Sequence, residues 1–250
     1  GVVGATGYAA DGFNVANTLP NQFYLLLAGG ALNAILVPQI VRAKMRPNGD
    51  EFVNRIITLT LAVLAVATVT LMLAAPLLVR VYAKFDDPAA LRLTTIFAVI
   101  CLPQLFFYGL FTILGQVLNA NGRFAGFMWA PALANVVAVA GLVWFMQAGY
   151  PSGASPADWT PAMIGILAGT ATLSIAIQAL ALVIPLRRIG FRYRPVWGVR
   201  GHGLGEVSQV AKWTFGSLVV SQLGYVVTSR VLTGATERGK VLGESVSGLA

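Results

Sequence analysis

Asp11 is followed by Asn14, Asn17 and Asn21 at the head of a long apolar stretch, and no other carboxylate of the chain sits in such a setting. A carboxylate at the middle of a bilayer costs ~2.5–3.5 kcal/mol on insertion scales and less near the interface. Two compatible readings follow. Asp11 caps the first turn of a helix, its oxygen accepting a backbone N–H, or it stands at the rim of a polar cavity. The remaining acids, Asp50, Glu51, Asp86, Asp87, Asp158, Glu206, Glu237 and Glu244, fall in loops or at their margins. Asp86 and Asp87 are adjacent and precede Pro88, the pattern of a solvated turn rather than of a catalytic pair.

Other chemistry is poorly supplied. With Cys101 the single cysteine and His202 the single histidine, the chain has no intramolecular disulfide and no Cys/His metal site. A nucleophile–histidine–acid set would need its base in a basic loop. No intramembrane carboxylate pair or Ser–Lys pair is evident. The glycines at 1, 4 and 7 follow no strand and open no dinucleotide-binding unit. These absences argue against an enzyme, and no cofactor is expected.

The elements that must position these residues are helices in lipid. Hydrophobic residues make up 57% of the 250 and charged residues only 10%, against about 25% charged in a soluble domain. Six intervals carry no Asp, Glu, Lys or Arg: Gly12–Val41, Ile56–Val79, Leu93–Gly122, Phe124–Ala157, Trp159–Leu186 and Trp213–Ser229. About 20 mostly apolar residues span ~30 Å of hydrocarbon, so five intervals are long enough and the last is marginal. The reading is an all-α polytopic membrane protein with about six transmembrane helices, in a single domain over residues 1–250. In segment one Pro20 should break or kink the helix, with Gly29-Gly30 midway and Pro38 and Pro47 at its end. Such breaks mark transport pathways or packing kinks in equal measure. Segment two reads as scaffold. Segment three holds Pro103, Gln104 and Gln116, segment four Pro131 and Asn135, and segment six Ser221 and Gln222. Segment five carries Gly165-x-x-x-Gly169, a small-residue helix-contact pattern. Gly201–Lys212 could form a short surface helix.

Charge sets the orientation. The net charge is +8, yet no basic run interleaved with aromatics suggests nucleic acid. Taking the loops alternately, one side holds eleven basic residues, including Arg46, Arg123 and Arg187–Arg194, and the other holds six, including Arg80 and Arg92. Basic loops stay in the cytoplasm. Segment one then runs from outside to inside, which predicts a transmembrane helix before Gly1. A new apolar run starting near Ser247 predicts more chain after Ala250.

Three blocks of sequence resemble the MurJ/MviN family of lipid II flippases. The first is Ala10-Asp-Gly-Phe-Asn-Val-Ala-Asn-Thr-Leu-Pro-Asn21 with Ala28-Gly-Gly-Ala-Leu-Asn-Ala-Ile-Leu-Val-Pro38. The second is Leu118-Asn119, Arg123-Phe124 and Ala130-Pro131-x-Leu133-x-Asn135, and the third, a weaker match, is Val220-Ser221-Gln222. The resemblance implies a fourteen-helix, two-lobed exporter fold, of which this chain would hold helices two to seven. It implies movement of a lipid-linked peptidoglycan precursor across the bacterial cytoplasmic (inner) membrane by alternating access, for cell-wall synthesis. The partners implied are that precursor, membrane lipids and cell-wall synthesis proteins. Residue matches carry over Asp11 and Asn21, with Asn14 beside them, and then Arg123, Asn135 and Gln222, as substrate-cavity or gating residues. For Asn135 a helix–helix hydrogen bond is the competing role. The chain departs from the family where an arginine often follows Pro-Asn, having Gln22-Phe-Tyr24, and where Glu often precedes the glycine, having Gly29. It also has Thr228 where some members carry an acid for a cation site. Related exporters of drugs, cations or lipid-linked polysaccharide units, and a non-transporting scaffold, are the alternative functions.

Overall fold

The computed structural model describes residues 7–27, 49–150 and 154–197, and the helix 207–241, with side chains in that helix described chiefly for 220–235. The Ala28–Pro38 block with its Gly29-Gly30 pair, Pro47 and residues 201–206 lie outside the described residues. Among the described residues every long element is a helix. They are α1 (Tyr8–Leu27), α2 (Gly49–Leu73), α3 (Ala75–Tyr82), α4 (Pro88–Cys101), α5 (Gln104–Ala120), α6 (Phe124–Gln147), α7 (Pro161–Ala181), α8 (Val183–Arg188) and α9 (Val207–Val241). Four spans are long and apolar enough to cross a bilayer: α2, α4 with α5, α6, and α7 with α8. They match segments two to five. The described part of segment one is α1, and segment six lies within α9, which also takes in residues 207–212 of the short surface helix expected near Gly201–Lys212.

Local chemistry sets the ends. Asp87 caps α4, its carboxylate accepting the Ala89 N–H at 2.9 Å, with Pro88 in the first turn. Asp87 of the acidic pair therefore serves as the cap at the turn into α4. Gly122 adopts φ +68° after α5, so the Arg123 N–H reaches back to Leu118 O at 3.0 Å and the Gly122 N–H to Asn119 O at 2.9 Å. Gly190 closes α8 in the same way. These are left-handed glycine caps, which a side chain at φ > 0 would strain.

Packing divides into two clusters. One, at the end where α1 begins and α3 meets α4, gathers Leu19, Val79, Tyr82, Phe85, Phe97, Cys101, Phe145 and Trp159. The other, at the arginine-rich end, gathers Val53, Ile57, Ile113, Val117, Leu118, Leu182 and Leu186. Helix α1 packs mainly on α4, and α6 on α7. Glycine permits the close approach: a methyl at Gly12 would strike Thr94, one at Gly109 Leu64, and one at Gly141 Thr170. The expected pair Gly165 and Gly169 is not such a contact, since an added Cβ at either meets nothing within 4 Å. The pattern records small residues but not which face they occupy.

Of the break or kink expected at Pro20, the break does not occur. Helix α1 continues through Pro20, which is buried. The chain breaks at Leu102-Pro103 instead, where Leu105 and Phe106 turn back to carbonyls three residues earlier. Proline removes one N–H and crowds the preceding turn. At Pro103 the broken turn is met from another helix, because Thr172 Oγ1 donates to Ile100 O at 2.8 Å.

Candidate functional site

Helix α1 presents two different faces. Ala9, Gly12, Val15, Ala16, Leu19 and Pro20 are buried. On the other side Asn14, Asn21 and Leu25 are exposed and Thr18 half-exposed, at i, i+4, i+7 and i+11 spacing. Thr18 Oγ1 donates to Asn14 Oδ1 at 3.3 Å. Three of the four residues in this stripe are polar. On α6 the exposed surface is instead Met128, Trp129, Leu133, Val136, Val139, Val143 and Trp144. That surface is chiefly apolar, with Asn135 its polar exception, whereas the α1 stripe is chiefly polar.

Asp11 flanks the stripe but is fully buried. It lies within the first turn of α1, its own N–H donating to Gly7 O at 3.2 Å, so it does not occupy the cap position before the helix. A carboxylate there is favoured by the helix dipole.

Two polar knots hold α1 at the flanks of this stripe, through Asn17 and Gln22. At the Pro103 break, Gln104 is almost wholly buried and its Nε2 donates to Asn17 Oδ1 at 3.0 Å and to Thr172 Oγ1 at 3.2 Å. That one amide ties α1, α5 and α7 and uses both its protons. Near the other end of α1, Gln222 Nε2 on α9 donates to Gln22 Oε1 at 2.8 Å and to Gln22 O at 3.2 Å, while Tyr82 OH donates to Gln222 Oε1 at 3.2 Å. The carbonyl bonded here belongs to the turn after Pro20. Gln222 is buried, so its amide is satisfied by protein rather than by water. Ser229 Oγ donates to Tyr82 O at 2.7 Å, and Thr233 Oγ1 accepts the Lys84 N–H at 2.9 Å. Together they latch α9 along α3.

The candidates named from sequence therefore fall into three groups. Asn14 and Asn21 share an exposed face, Asp11 adjoins it, and Gln222 grips the same helix at Gln22, one turn beyond Thr18, whose hydroxyl is itself hydrogen-bonded to Tyr225 of α9. Arg123 and Asn135 stand apart, exposed at the start and on the outer surface of α6, whose main neighbours are α7 and α5. Asn135 makes no helix–helix hydrogen bond among the described residues; its face of α6 points away from α7, where Ala130, Ala134, Gly141 and Phe145 are buried. Thr228 is exposed and its hydroxyl turns to Gly224 O on its own helix. Sequence reasoning missed Gln22, Asn17 and Thr172 as partners, and left Gln104 without a role. A glutamine directly after a proline within an apolar run was the available signal.

At the arginine-rich end, a cleft of about 580 Å³ lies between the start of α2, the end of α5 and the segment after α8. That segment is strapped to α2: the Arg194 N–H donates to Asn54 Oδ1 at 3.1 Å and the Val196 N–H to Thr58 Oγ1 at 3.2 Å. Thr58 gives its proton to Asn54 O, so the Tyr193 hydroxyl, 2.9 Å away, donates to it. Asp50, Glu51, Arg192 and Arg194 all line the cleft, which leaves no dominant sign of charge.

Bilayer-length helices, polar groups gathered at a helix break, and an apolar exterior define a polytopic α-helical membrane protein. A family model described as lipid II flippase MurJ matches residues 2–242, and the chain belongs to that family. It is 31% identical over 195 residues to a probable lipid II flippase MurJ of Rhizobium meliloti (strain 1021), covering 75% of this chain and 35% of that protein. It is 26% identical over 252 residues to the protein so named from Haemophilus influenzae, covering 94% of this chain and 47% of the relative. The chain thus spans between a third and a half of the length of these curated relatives.

Proposed function

We infer that the whole protein moves a lipid-linked peptidoglycan precursor across the bacterial cytoplasmic membrane by alternating access, and that residues 1–250 supply one lobe of a two-lobed carrier. The activity is movement rather than bond chemistry. The observation that carries this reading is the run of polar residues along one face of α1, against the chiefly apolar exterior of helices such as α6. Polar groups facing acyl chains are unfavourable and mark pathways, so the stripe belongs against a water-filled cavity closed by another part of the protein. A sugar–pyrophosphate head passes along such a face while its lipid tail stays in the bilayer. Amides suit that task, since Asn14 and Asn21 each offer two donors and an acceptor without a fixed charge that would hold the head too tightly.

In this reading Asn14 and Asn21 face the substrate, Asp11 orders the start of α1 beside it, and Gln222 is a positioning residue that sets the tilt of α1 through Gln22. Arg123, at the arginine-rich end, meets phosphate at the cytoplasmic surface. Asn135, on the far side of α6, faces a neighbour outside this lobe. Cell-wall synthesis proteins are the natural recipients of the moved precursor.

The test uses the full-length gene in cells depleted of their own flippase, with labelling of precursor on the outer leaflet. The wild type should restore outer-leaflet precursor, and Asn14→Leu/Asn21→Leu at equal membrane abundance should lower it by an order of magnitude. A stably inserted wild type that restores nothing points instead to a different exporter substrate.

A further inference from the structure

At the end of the bundle opposite the arginine-rich cleft, α3 and α4 enclose a second, smaller groove of about 250 Å³. Its walls are Pro76, Val79 and Leu91, and two arginines, Arg80 on α3 and Arg92 on α4, stand at it. Both are exposed, and neither forms an ion pair among the described residues. No acid lines the groove. The nearest acids along the chain are Asp86 and Asp87, and the Asp87 carboxylate is committed to capping α4. This contrasts with the larger cleft, which Asp50 and Glu51 line together with Arg192 and Arg194.

The setting of the two arginines is a lipid boundary. Along α2 and α3 the exposed apolar residues Val66, Val69, Leu73 and Leu77 lead up to Arg80, and on α4 the exposed Ile96 lies one turn beyond Arg92. Apolar flank therefore gives way to paired positive charge at one level on two adjacent helices. Arginine at such a level keeps its head in the polar zone while its stem covers apolar surface. Its planar fork matches phosphate oxygens.

We propose that the α3–α4 groove binds an anionic phospholipid of the outer leaflet, its phosphate held between Arg80 and Arg92 and an acyl chain lying along Leu77, Leu73 and Ile96. The site is separate from the α1 stripe, because α4 turns Ala90, Leu93, Thr94 and Phe97 toward the core. It does not depend on which substrate the carrier moves.

The experiment places the full-length protein in nanodiscs containing phosphatidylglycerol or phosphatidylcholine bearing a photoreactive acyl chain, and maps cross-links by peptide mass spectrometry. Phosphatidylglycerol should label residues 73–96 in clear preference to phosphatidylcholine. Each of Arg80→Gln and Arg92→Gln should lower that labelling about fivefold, the effect of ~1 kcal/mol per basic residue near a membrane surface, and the double variant further. Arg80→Lys/Arg92→Lys should keep most of it. Labelling of α6 in the same samples reports whether each variant retains its fold, and should not change. Equal labelling by the two lipids, or undiminished labelling of a double glutamine variant with α6 intact, overturns the proposal. So does loss of labelling in excess inorganic phosphate, which would make this a site for the free anion.

Discussion

The two ends of this bundle are built from different materials. Where α1 begins, the core is aromatic: Tyr8 meets Phe85 edge-on at 5.5 Å, Phe97 meets Phe13 at 5.6 Å and Trp159 at 5.4 Å, and Phe145 stacks on Trp159 at 5.9 Å. Helix α9 is latched along α3 toward this end by Ser229 and Thr233, with Gln222 holding Tyr82 and Gln22 further along α1. At the arginine-rich end the core is chiefly aliphatic, α1 takes no part in it, and the closing element is a strap held by two backbone N–H groups on Asn54 and Thr58. Dense aromatic packing is lost all at once. A strap of side-chain hydrogen bonds can exchange its partners for water at little net cost. The lesson is that one end is built to stay closed within the lobe, while the other is held by contacts suited to rearrangement.

Breaking the aromatic end should have the largest effect. Phe97 is fully buried between α1 and the Trp159 loop, and Phe97→Ala should destabilise the full-length protein by about 3–5 kcal/mol, read as a fall in detergent thermal midpoint. Next is the latch. Gln222→Leu leaves Gln22 and Tyr82 without their shared partner, a loss of about 1–3 kcal/mol; flipping should fall with it, while Gln222→Glu, which keeps an acceptor for Tyr82, should fall less. The smallest effect belongs to the strap. Asn54→Ala should cost under ~1 kcal/mol in stability yet speed hydrogen exchange at the Arg194 and Val196 amides, with no change at Tyr82–Phe85. Faster exchange at both ends alike would erase the distinction between them.

The bilayer-length segments two to five were legible because charge-free runs of that length admit little else. Helix faces were not. When lipid-facing and buried sides are both apolar, as on α6, the periodicity that marks a face in water vanishes, and so Gly165-x-x-x-Gly169 could not be told from a contact such as Gly141 against Thr170. The two prolines make the same point. Pro20 and Pro103 read alike in sequence, but the break falls where Thr172, from a different helix, can satisfy the Ile100 carbonyl. That partner is 72 residues away. Asp11 was recognisable as unusual from its surroundings alone, whereas its burial depends on helices packed beside it. Gln222 was noted in segment six but became a site candidate only through resemblance, and its partner Gln22 begins the Gln22-Phe-Tyr24 stretch that departs from the family pattern.

The central claim is that the Asn14–Asn21 face of α1 lines water. Single cysteines at Asn14, Asn21 and Val136 in a full-length protein whose native cysteines, the fully buried Cys101 among them, are replaced by alanine can be probed in intact membranes with a small water-soluble maleimide. The account predicts rapid labelling at positions 14 and 21 and none at 136 on the acyl-facing surface of α6. Labelling at 14 and 21 as slow as at 136 would contradict it, placing the stripe against lipid or sealed protein and removing the main support for a transport pathway along α1.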